Sequence, residues 1–179
     1  ELAVLRLNEM GFIFQQIHLL KNLSIFDNII LSGYLAQSGG RGQSRGKVRK
    51  RAVELMRKTG IAELAKNDIS QASGGQLQRV GICRALINQP DIIFGDEPTG
   101  ALNSKSSDEI MSLLADFNST GTTVMLVTHD VKVAAKTERV LFMMDGRIVA
   151  EKQMGKYSGN GDIKAREELL SAWLLQQGF

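Results

Sequence analysis

The chain has 179 residues and a net charge of +3 at pH 7, with 43% apolar and 23% charged residues. These values are typical of an ordinary globular protein with one domain, or one domain and a small subdomain, and the charge favours no particular partner. The single cysteine, Cys83, excludes an internal disulfide, and no apolar stretch approaches the roughly 18 residues that a membrane-spanning helix needs.

The first predicted elements are a strand and a helix joined by a loop. The apolar run Met10–Phe14 predicts a short strand that ends at Gln15. Ser24 is a suitable N-cap for a helix over Ile25–Ala36, and Asp27 lies in its first turn, where the helix dipole favours negative charge.

A second helix is predicted over Lys47–Thr59, after a loop over 38–46 that is rich in glycine, serine and arginine. Gly60 is a suitable residue to end this helix. Its apolar residues recur at helical spacing and predict a buried face. They are Val48, Ala52, Leu55 and Met56.

The same region holds the most basic run of the chain. The run comprises Arg41, Arg45, Lys47, Arg49, Lys50 and Arg51. Nucleic acid and anionic lipid are conceivable partners, but no aromatic residues alternate with the basic ones, so a solvated surface is the better interpretation. Gly46 and Lys47 resemble the end of a phosphate-binding P-loop, G-x-x-x-x-G-K-[ST]. Arg41 replaces its first glycine and Val48 its hydroxyl residue, so the 179 residues contain no P-loop.

The next helix carries a candidate anion site at its start. Ser73 and Gln76 form a capping box, which predicts a helix from here to about Asn88. A capping box alone does not explain Gly74 and Gly75, each of which costs roughly 0.8–1 kcal/mol against alanine inside a helix. Paired glycines bare the first-turn amides, so we predict that an anion binds at this positive end of the helix dipole.

A central strand follows and ends in two adjacent carboxylates. Ile92–Phe94 is a run without alternation, which is typical of a parallel strand buried on both faces. Pro98 ends the strand, because it lacks a backbone donor and restricts Glu97. Asp96 and Glu97 therefore lie at the carboxyl end of the sheet, where ligands bind in α/β folds. Their repulsion suggests two tasks, with one holding a cation and the other acting as a base on water.

The remaining segments predict a helix, a strand, a short helix, a hairpin and a terminal helix. They span Ser104–Phe117, Thr123–Val127, Val131–Thr137, Val140–Met144 paired with Arg147–Ala150, and Asp162–Gln177. Asp145-Gly146 is typical of a type I′ hairpin turn, and the polar stretch Lys152–Gly161 predicts a linker. The terminal helix has an apolar face that packs on its own domain or docks on another subunit.

Two of these motifs resemble those of ATP-binding-cassette (ABC) ATPases. Ser73-Gly74-Gly75-Gln76 resembles the family's signature motif, although Ala72 stands where leucine is usual. Asp96-Glu97-Pro98 resembles Walker B with its catalytic glutamate.

Three further motifs fall in the family's order. Gln15 after Gly11–Phe14 resembles the Q-loop, and His129 after Thr123–Val127 resembles the H-loop. Thr99–Asn103 resembles the D-loop, with Asn103 in place of the usual aspartate. The resemblance covers Met10 to about Glu151. Leu5–Asn8 and Gly100–Ser104 are similar to the branch that serves lipoprotein release, macrolide efflux and antimicrobial-peptide resistance.

The resemblance implies an α/β fold, with a partial P-loop NTPase (RecA-like) core, a mainly parallel sheet and an α-helical subdomain that carries the signature. The N-terminal β subdomain and the P-loop are then missing. The implied core comprises 1–22 and 90–151, and the implied helical subdomain comprises 23–89. A linker and terminal helix form 152–179.

The resemblance also implies residue roles. In this family two nucleotide-binding domains close head to tail around two ATP molecules. Glu97 would be the general base and His129 a contact to the γ-phosphate. Asp96 would hold Mg²⁺, with Gln15 contributing through water. The implied ATP-binding residues are Gln15, Ser73, Gly74, Gly75, Gln76 and Asn103.

The implied partners are ATP, a second nucleotide-binding domain and a membrane permease, without nucleic acid. The chain would act in the cytoplasm, on the inner face of the membrane. Because it begins at Glu1 in mid-pattern, we expect a truncated ATPase that cannot bind ATP alone and exposes apolar sheet surface. The alternatives are a pseudo-cassette that only donates its signature, and a soluble ABC protein that acts on nucleic acid.

Overall fold

The computed structural model of the chain describes residues 2–37, 43–157, 159 and 162–178. Their helices and strands are α1 Leu2–Glu9, β1 Met10–Phe14, α2 Ile25–Gln37, α3 Arg45–Lys58, α4 Gly74–Leu86, β2 Ile92–Asp96, α5 Ser104–Ser119, β3 Thr123–Val127, α6 Val131–Ala134, β4 Arg139–Met144, β5 Arg147–Gln153 and α7 Ile163–Gln176. Two 3₁₀ turns lie between α3 and α4, over Ala62–Leu64 and Ile69–Gln71. None of these helices, within the ranges given, is long and apolar enough to cross a membrane.

A parallel three-stranded sheet, in the order β1-β2-β3, organises the first part of the chain. The register aligns Phe14 with Asp96 and Asp96 with Val127, so the three strands end at one level. Ile93 in the middle of β2 is fully buried. The predicted α/β class with a parallel sheet is confirmed, and the carboxyl ends of its strands form a single edge at which side chains can meet.

Helix α4 packs directly on β1. A Cβ atom added at Gly11 would lie 2.8 Å from the backbone oxygen of Ala85 and 3.2 Å from Cγ of Pro90, so only glycine allows this approach. Cys83 on α4 is buried, and its Sγ lies 3.2 Å from Thr59 Oγ1. Burial raises the pKa of the Cys83 thiol to about 12. The four apolar residues predicted to face the core from α3 are all buried.

Side-chain caps fix the starts of α2 and α4, as the sequence predicts. The Ser24 hydroxyl accepts from the Asp27 amide at 3.1 Å at the start of α2. At the start of α4, the Ser73 hydroxyl accepts from the Gln76 amide at 3.3 Å, and Gln76 Oε1 accepts from the Ser73 amide at 2.8 Å. Gly60 follows α3 with a φ of 70°, which confirms its predicted role at the end of that helix.

The contacts divide the chain into two compact units, with the division between Val127 and Thr128. The second unit contains α6, the β4–β5 hairpin and α7. Asp145 and Gly146 have φ values of 50° and 74°, as the predicted type I′ turn requires. Leu170 and Leu174 of α7 are buried within this unit, so its apolar face packs on its own unit.

One helix was not predicted, and several boundaries differ from the prediction. Helix α1 was not predicted, since its residues bury no side chain. Helix α6 ends at Ala134 because the Thr137 hydroxyl donates to the Ala134 carbonyl at 2.8 Å and closes the turn. Strand β5 continues to Gln153, two residues into the predicted linker, because β4 begins at Arg139 and pairs with it. Helix α4 ends at Leu86, two residues early.

Parts of two predicted segments lie outside the described residues. They are 38–42 of the loop over 38–46, and 158, 160 and 161 of the linker. Residues 45 and 46, which were predicted to belong to this loop, lie in α3, because that helix begins at Arg45.

Candidate functional site

Gln15 and the two carboxylates meet at the carboxyl edge of the sheet. Asp96 is the last residue of β2 and is exposed, while Glu97 follows it and is half-buried. A Cβ atom added at Gly100 would lie 3.0 Å from Gln15 Nε2 and 3.5 Å from Glu97 Cβ. The amide of Gln15 and the side chain of Glu97 therefore flank the same glycine, as the positions of the β1 and β2 ends predict.

The backbone at Glu97 is strained. Its φ is 43°, which is uncommon for a residue other than glycine and is found mainly where surrounding structure enforces it. The Glu97 amide donates to the Val127 carbonyl at 2.9 Å, and the Glu97 carbonyl accepts from the Gly100 amide at 3.1 Å. Pro98 is buried behind this turn. These contacts hold the Glu97 side chain at the sheet edge by its main chain.

The donors at this edge fit a hard divalent cation. Asp96 presents an exposed carboxylate, and Gln15 can present an amide oxygen, both of which suit Mg²⁺ with water completing its shell. No cluster of three or more histidine, cysteine or acidic ligands occurs among the described residues. A cation here would thus depend on one carboxylate together with water and an anionic ligand, which is the usual manner of Mg²⁺ binding.

The predicted anion site is an open helix start. Ser73 and Gly74 are exposed, and the Ser73 side chain satisfies the Gln76 amide, as described above. A Cβ atom at Gly74 would meet Leu102 Cδ2 at 3.8 Å, which is ordinary contact. The turn is therefore accessible from solvent, with little side chain over Gly74, as an anion site needs.

The same turn contacts the start of α5. A Cβ atom at Gly75 would lie 3.3 Å from the Ser106 hydroxyl, and the Ser106 amide donates to Asn103 Oδ1 at 2.9 Å. Further along, Arg79 pairs with Glu109 at 2.6 Å. Asn103 is thus the N-cap of α5, a role that aspartate would serve equally well.

We predict that Asn103→Ala lowers the free energy of unfolding by about 1 kcal/mol, because the Ser106 amide loses its acceptor. Asn103→Asp keeps an acceptor at the same place and is the matched control, expected to retain or slightly raise stability because a negative charge is favoured at a helix start. Urea denaturation of the three proteins measures the difference. Equal losses for alanine and aspartate would contradict the capping role.

His129 lies in the second unit, where it is exposed. The neighbouring Asp130 amide donates to the Thr128 hydroxyl at 3.0 Å, and Asp130 Oδ1 accepts from the Lys132 amide at 2.8 Å to cap α6. Thr128, His129 and Asp130 border a small cavity of about 70 Å³ in this unit. His129 therefore lies on the turn between β3 and α6, at the position in the chain that the H-loop resemblance predicts.

Two residues that contact the site segments escaped the sequence analysis. Gln78 and Arg84, both on α4, donate to the backbone carbonyls of Phe14 and Ile17, which lie on either side of Gln15. Their partners are main-chain atoms more than 60 positions away, so no pattern of residue types could have indicated them. A weaker signal was available at Asp68, whose capping box with Gln71 has the spacing seen at Ser73.

Comparison with known proteins gives a consistent result. Residues 4–100 match the family described as ABC transporter. The chain is 45% identical over 183 residues to a macrolide export ATP-binding/permease protein MacB of Hahella chejuensis, covering 97% of the chain and 27% of that protein. It is 47% identical over 152 residues to a probable syringafactin export ATP-binding/permease protein SyfD of Pseudomonas syringae, covering 85% of the chain and 22% of that protein. The chain thus spans about a quarter of the length of these relatives.

Solved structures agree with the fold. A dimeric ATP-binding cassette, MJ0796, in a post-hydrolysis state with ADP and Pi superposes with a TM-score of 0.75 at 39% identity, covering 87% of this chain and 67% of that one. CbiO1 of Clostridium perfringens, part of an ABC transporter complex, superposes with a TM-score of 0.75 at 25% identity, covering 97% of this chain and 65% of that one.

Proposed function

The chain belongs to the ABC transporter family, and on that premise we propose that it is part of the ATP-hydrolysing subunit of an exporter. One observation carries the proposal. Glu97 is held in a strained left-handed conformation at the end of the central strand, one residue after Asp96 and beside the amide of Gln15. A base, a cation-binding carboxylate and an amide that orients water are the parts that phosphoryl transfer to water needs.

The relatives support the direction of transport and the kind of partner. Both MacB and SyfD are described as export proteins that combine ATP binding with a permease. By similarity, this chain would transmit the free energy of ATP hydrolysis to a permease on the inner face of the membrane. The permease, and not this chain, would select the substrate.

At the sheet edge, Glu97 would accept a proton from the attacking water, and Gln15 would orient that water. General base catalysis of this kind contributes about 10²–10⁴-fold to the rate. Asp96 would hold Mg²⁺, which when bound neutralises charge on the transferring phosphoryl group. His129, in the second unit, would donate to the γ-phosphate. The exposure of Asp96 and of His129 supports these roles.

The anion site at the start of α4 would serve a second cassette. Ser73, Gly74 and Gly75 would bind the γ-phosphate of ATP held by a partner, with Gln76 completing the capping box beneath them. The exposure of the turn supports this arrangement, as does the dimer of the similar cassette MJ0796. Asn103, which caps α5 next to this turn, would lie at the seam between the two cassettes.

We further propose that the RecA-like core comprises 1–22 and 90–151 and the helical subdomain 23–89, with 152–179 as linker and terminal helix. Membership of β1, β2 and β3 in one sheet supports the first group, and the caps and packing of α2, α3 and α4 support the second. In this division the carboxyl edge belongs to the core and the anion site to the helical subdomain.

The 179 residues lack the G-x-x-x-x-G-K-[ST] segment that cradles the β- and γ-phosphates. We therefore expect no ATP binding in the micromolar range by this chain alone. A chain joined ahead of Glu1 to a segment that carries this motif should bind MgATP and hydrolyse it. Equilibrium binding of a fluorescent ATP analogue and phosphate release measure the two properties.

The matched control is the same joined segment with its P-loop lysine changed to alanine, which should abolish binding. Micromolar ATP binding by the 179 residues themselves would contradict the first expectation. A joined chain that binds ATP, stays inactive and yet supports hydrolysis by a second cassette would overturn the enzymatic proposal in favour of a signature donor.

A further inference from the structure

The loop that follows Gln15 is bonded to α4 at several points. Gln78, which is 3% exposed, donates its side-chain amide to the Phe14 carbonyl at 3.4 Å. Arg84 donates to the Ile17 carbonyl at 2.5 Å and to the His18 carbonyl at 3.0 Å. Three backbone carbonyls, those of Phe14, Ile17 and His18, are therefore bonded to side chains of a single helix.

Packing and backbone strain at the same place indicate that these bonds are strong enough to shape the loop. A Cβ atom at Gly81 would lie 3.0 Å from Ile17 Cγ2, so the loop rests on the bare helix between the two donors. His18 has a φ of 47°, which is unfavourable for a residue other than glycine and persists only where contacts enforce it. We call Gln78, Gly81 and Arg84, which recur every three residues along one side of α4, the α4 clamp.

The far end of the loop is also fixed to a helix. The Leu20 amide donates to Asn28 Oδ1 at 2.8 Å, and Asn28 Nδ2 donates to the Leu20 carbonyl at 3.1 Å. Asn28 lies on α2 and is 3% exposed. The loop between Gln15 and Leu20 thus depends on the helices for its position, although its first residue follows a strand of the sheet.

We propose that Gln78 and Arg84 are positioning residues that hold Gln15 in a fixed place relative to the anion-binding turn at Ser73–Gln76. That turn is the first turn of α4, and the clamp occupies the following turns of the same helix. Since a helix is stiff over this length, a displacement of the turn by bound phosphate would be passed to Gln15. The inference rests on the proposed function, from which the turn and Gln15 take their roles.

The chain offers a matched control for Arg84. Arg51 donates through Nε and Nη2 to the Leu86 carbonyl at 3.2 and 3.1 Å, at the far end of α4. Burial lowers the pKa of both Arg51 and Arg84, and both residues are half-buried. Arg51→Met therefore removes two bonds from a comparable group without touching the loop.

The first measurement uses the 179-residue chain and needs no nucleotide. Backbone ¹⁵N relaxation should give order parameters of about 0.85 for residues 15–19, the value of rigid backbone. In Arg84→Met these values should fall below about 0.6, while in Arg51→Met they should stay as in the parent. Arg84→Lys, which keeps a donor, should restore part of the rigidity. A loop that is flexible in the parent, or equally rigid in all variants, would overturn the proposal.

The second measurement uses the chain joined to the P-loop segment. Arg84→Met and Gln78→Met should lower kcat by about 10–100-fold, since small misplacement of a positioning group has effects of that size. The Kd for ATP should not change, because the P-loop supplies most of that binding. Arg51→Met should change neither kcat nor the Kd for ATP, even if it lowers the thermal midpoint as much as Arg84→Met does.

The two measurements separate the two proposals. If Arg84→Met loses loop order but the joined parent chain never hydrolyses ATP, the proposed function is contradicted. The α4 clamp would then hold the loop without a role in catalysis. An ordered loop in Arg84→Met together with normal turnover by the parent would contradict the positioning role alone. Equal losses of kcat in Arg84→Met and Arg51→Met would likewise reduce Arg84 to a stabilising residue.

Discussion

Replacing Glu97 by glutamine, in the chain joined to the P-loop segment, is expected to lower kcat by about 10²–10⁴-fold while ATP remains bound. Glutamine has the shape of glutamate but accepts no proton at neutral pH, so only the step that deprotonates water is lost. The strained turn should survive, because its hydrogen bonds to Val127 and Gly100 come from the main chain at Glu97.

Single-turnover hydrolysis and equilibrium ATP binding measure the two effects separately. Glu63→Gln is the control, because Glu63 is an exposed glutamate in the 3₁₀ turn over Ala62–Leu64, away from the sheet edge. It should leave both kcat and Kd as in the parent. A Glu97→Gln chain that turns over at close to the parental rate would assign the base to another group.

Replacing Arg166 by methionine is expected to destabilise the second unit by about 3 kcal/mol or more, because four backbone carbonyls lose a charged donor at once. The guanidinium is 6% exposed and donates to the carbonyls of Ala135, Thr137, Met154 and Gly155 at 2.8 to 2.9 Å. These carbonyls come from the α6 end, the start of β4 and the segment after β5, so one side chain joins three stretches of backbone.

The single tryptophan provides a local readout of this effect. Trp173 lies on α7 and packs edge-on against Phe142 with ring centroids 6.5 Å apart, so its fluorescence follows the unfolding of the second unit. The urea midpoint of that signal should fall strongly in Arg166→Met. The control is Arg139→Met, which removes an exposed arginine paired with Glu151 at 2.7 Å and should leave the midpoint unchanged. Similar midpoints for the two variants would show that the buried network contributes little.

The sequence predicted the elements that carry the candidate site where local signals were strong. An apolar run followed by two carboxylates and a proline has few interpretations, and Ile92–Asp96 is the central strand of the sheet. The spacing of Ser73 and Gln76 predicts a helix start, and their capping box is present at the start of α4. In both cases the determining interactions lie within a few residues, so a pattern in the sequence can reveal them.

Other features depend on tertiary contacts that leave no such pattern. Arg84 and Arg166 are ordinary basic residues in a helical sequence, and their partners are distant main-chain carbonyls. Helix α1 has apolar residues that remain exposed, with Leu2 75% and Leu5 39% accessible, so its sequence shows no buried face to detect. Glu97 is foreseen as the residue after the strand, but its left-handed backbone follows from the bond to Val127 in the neighbouring strand.

The buried state of Cys83 makes this chain well suited to site-specific labelling. Burial raises the pKa of this thiol to about 12 and keeps its sulfur out of solvent, so much less reactive thiolate forms at neutral pH than at an exposed cysteine. Maleimide reagents should therefore modify cysteines introduced at exposed positions such as Gln16 and Gln71 and leave Cys83 untouched. A pair of probes at those positions would report the distance between the loop after Gln15 and the 3₁₀ turn that precedes Ser73, in a protein that keeps its native thiol.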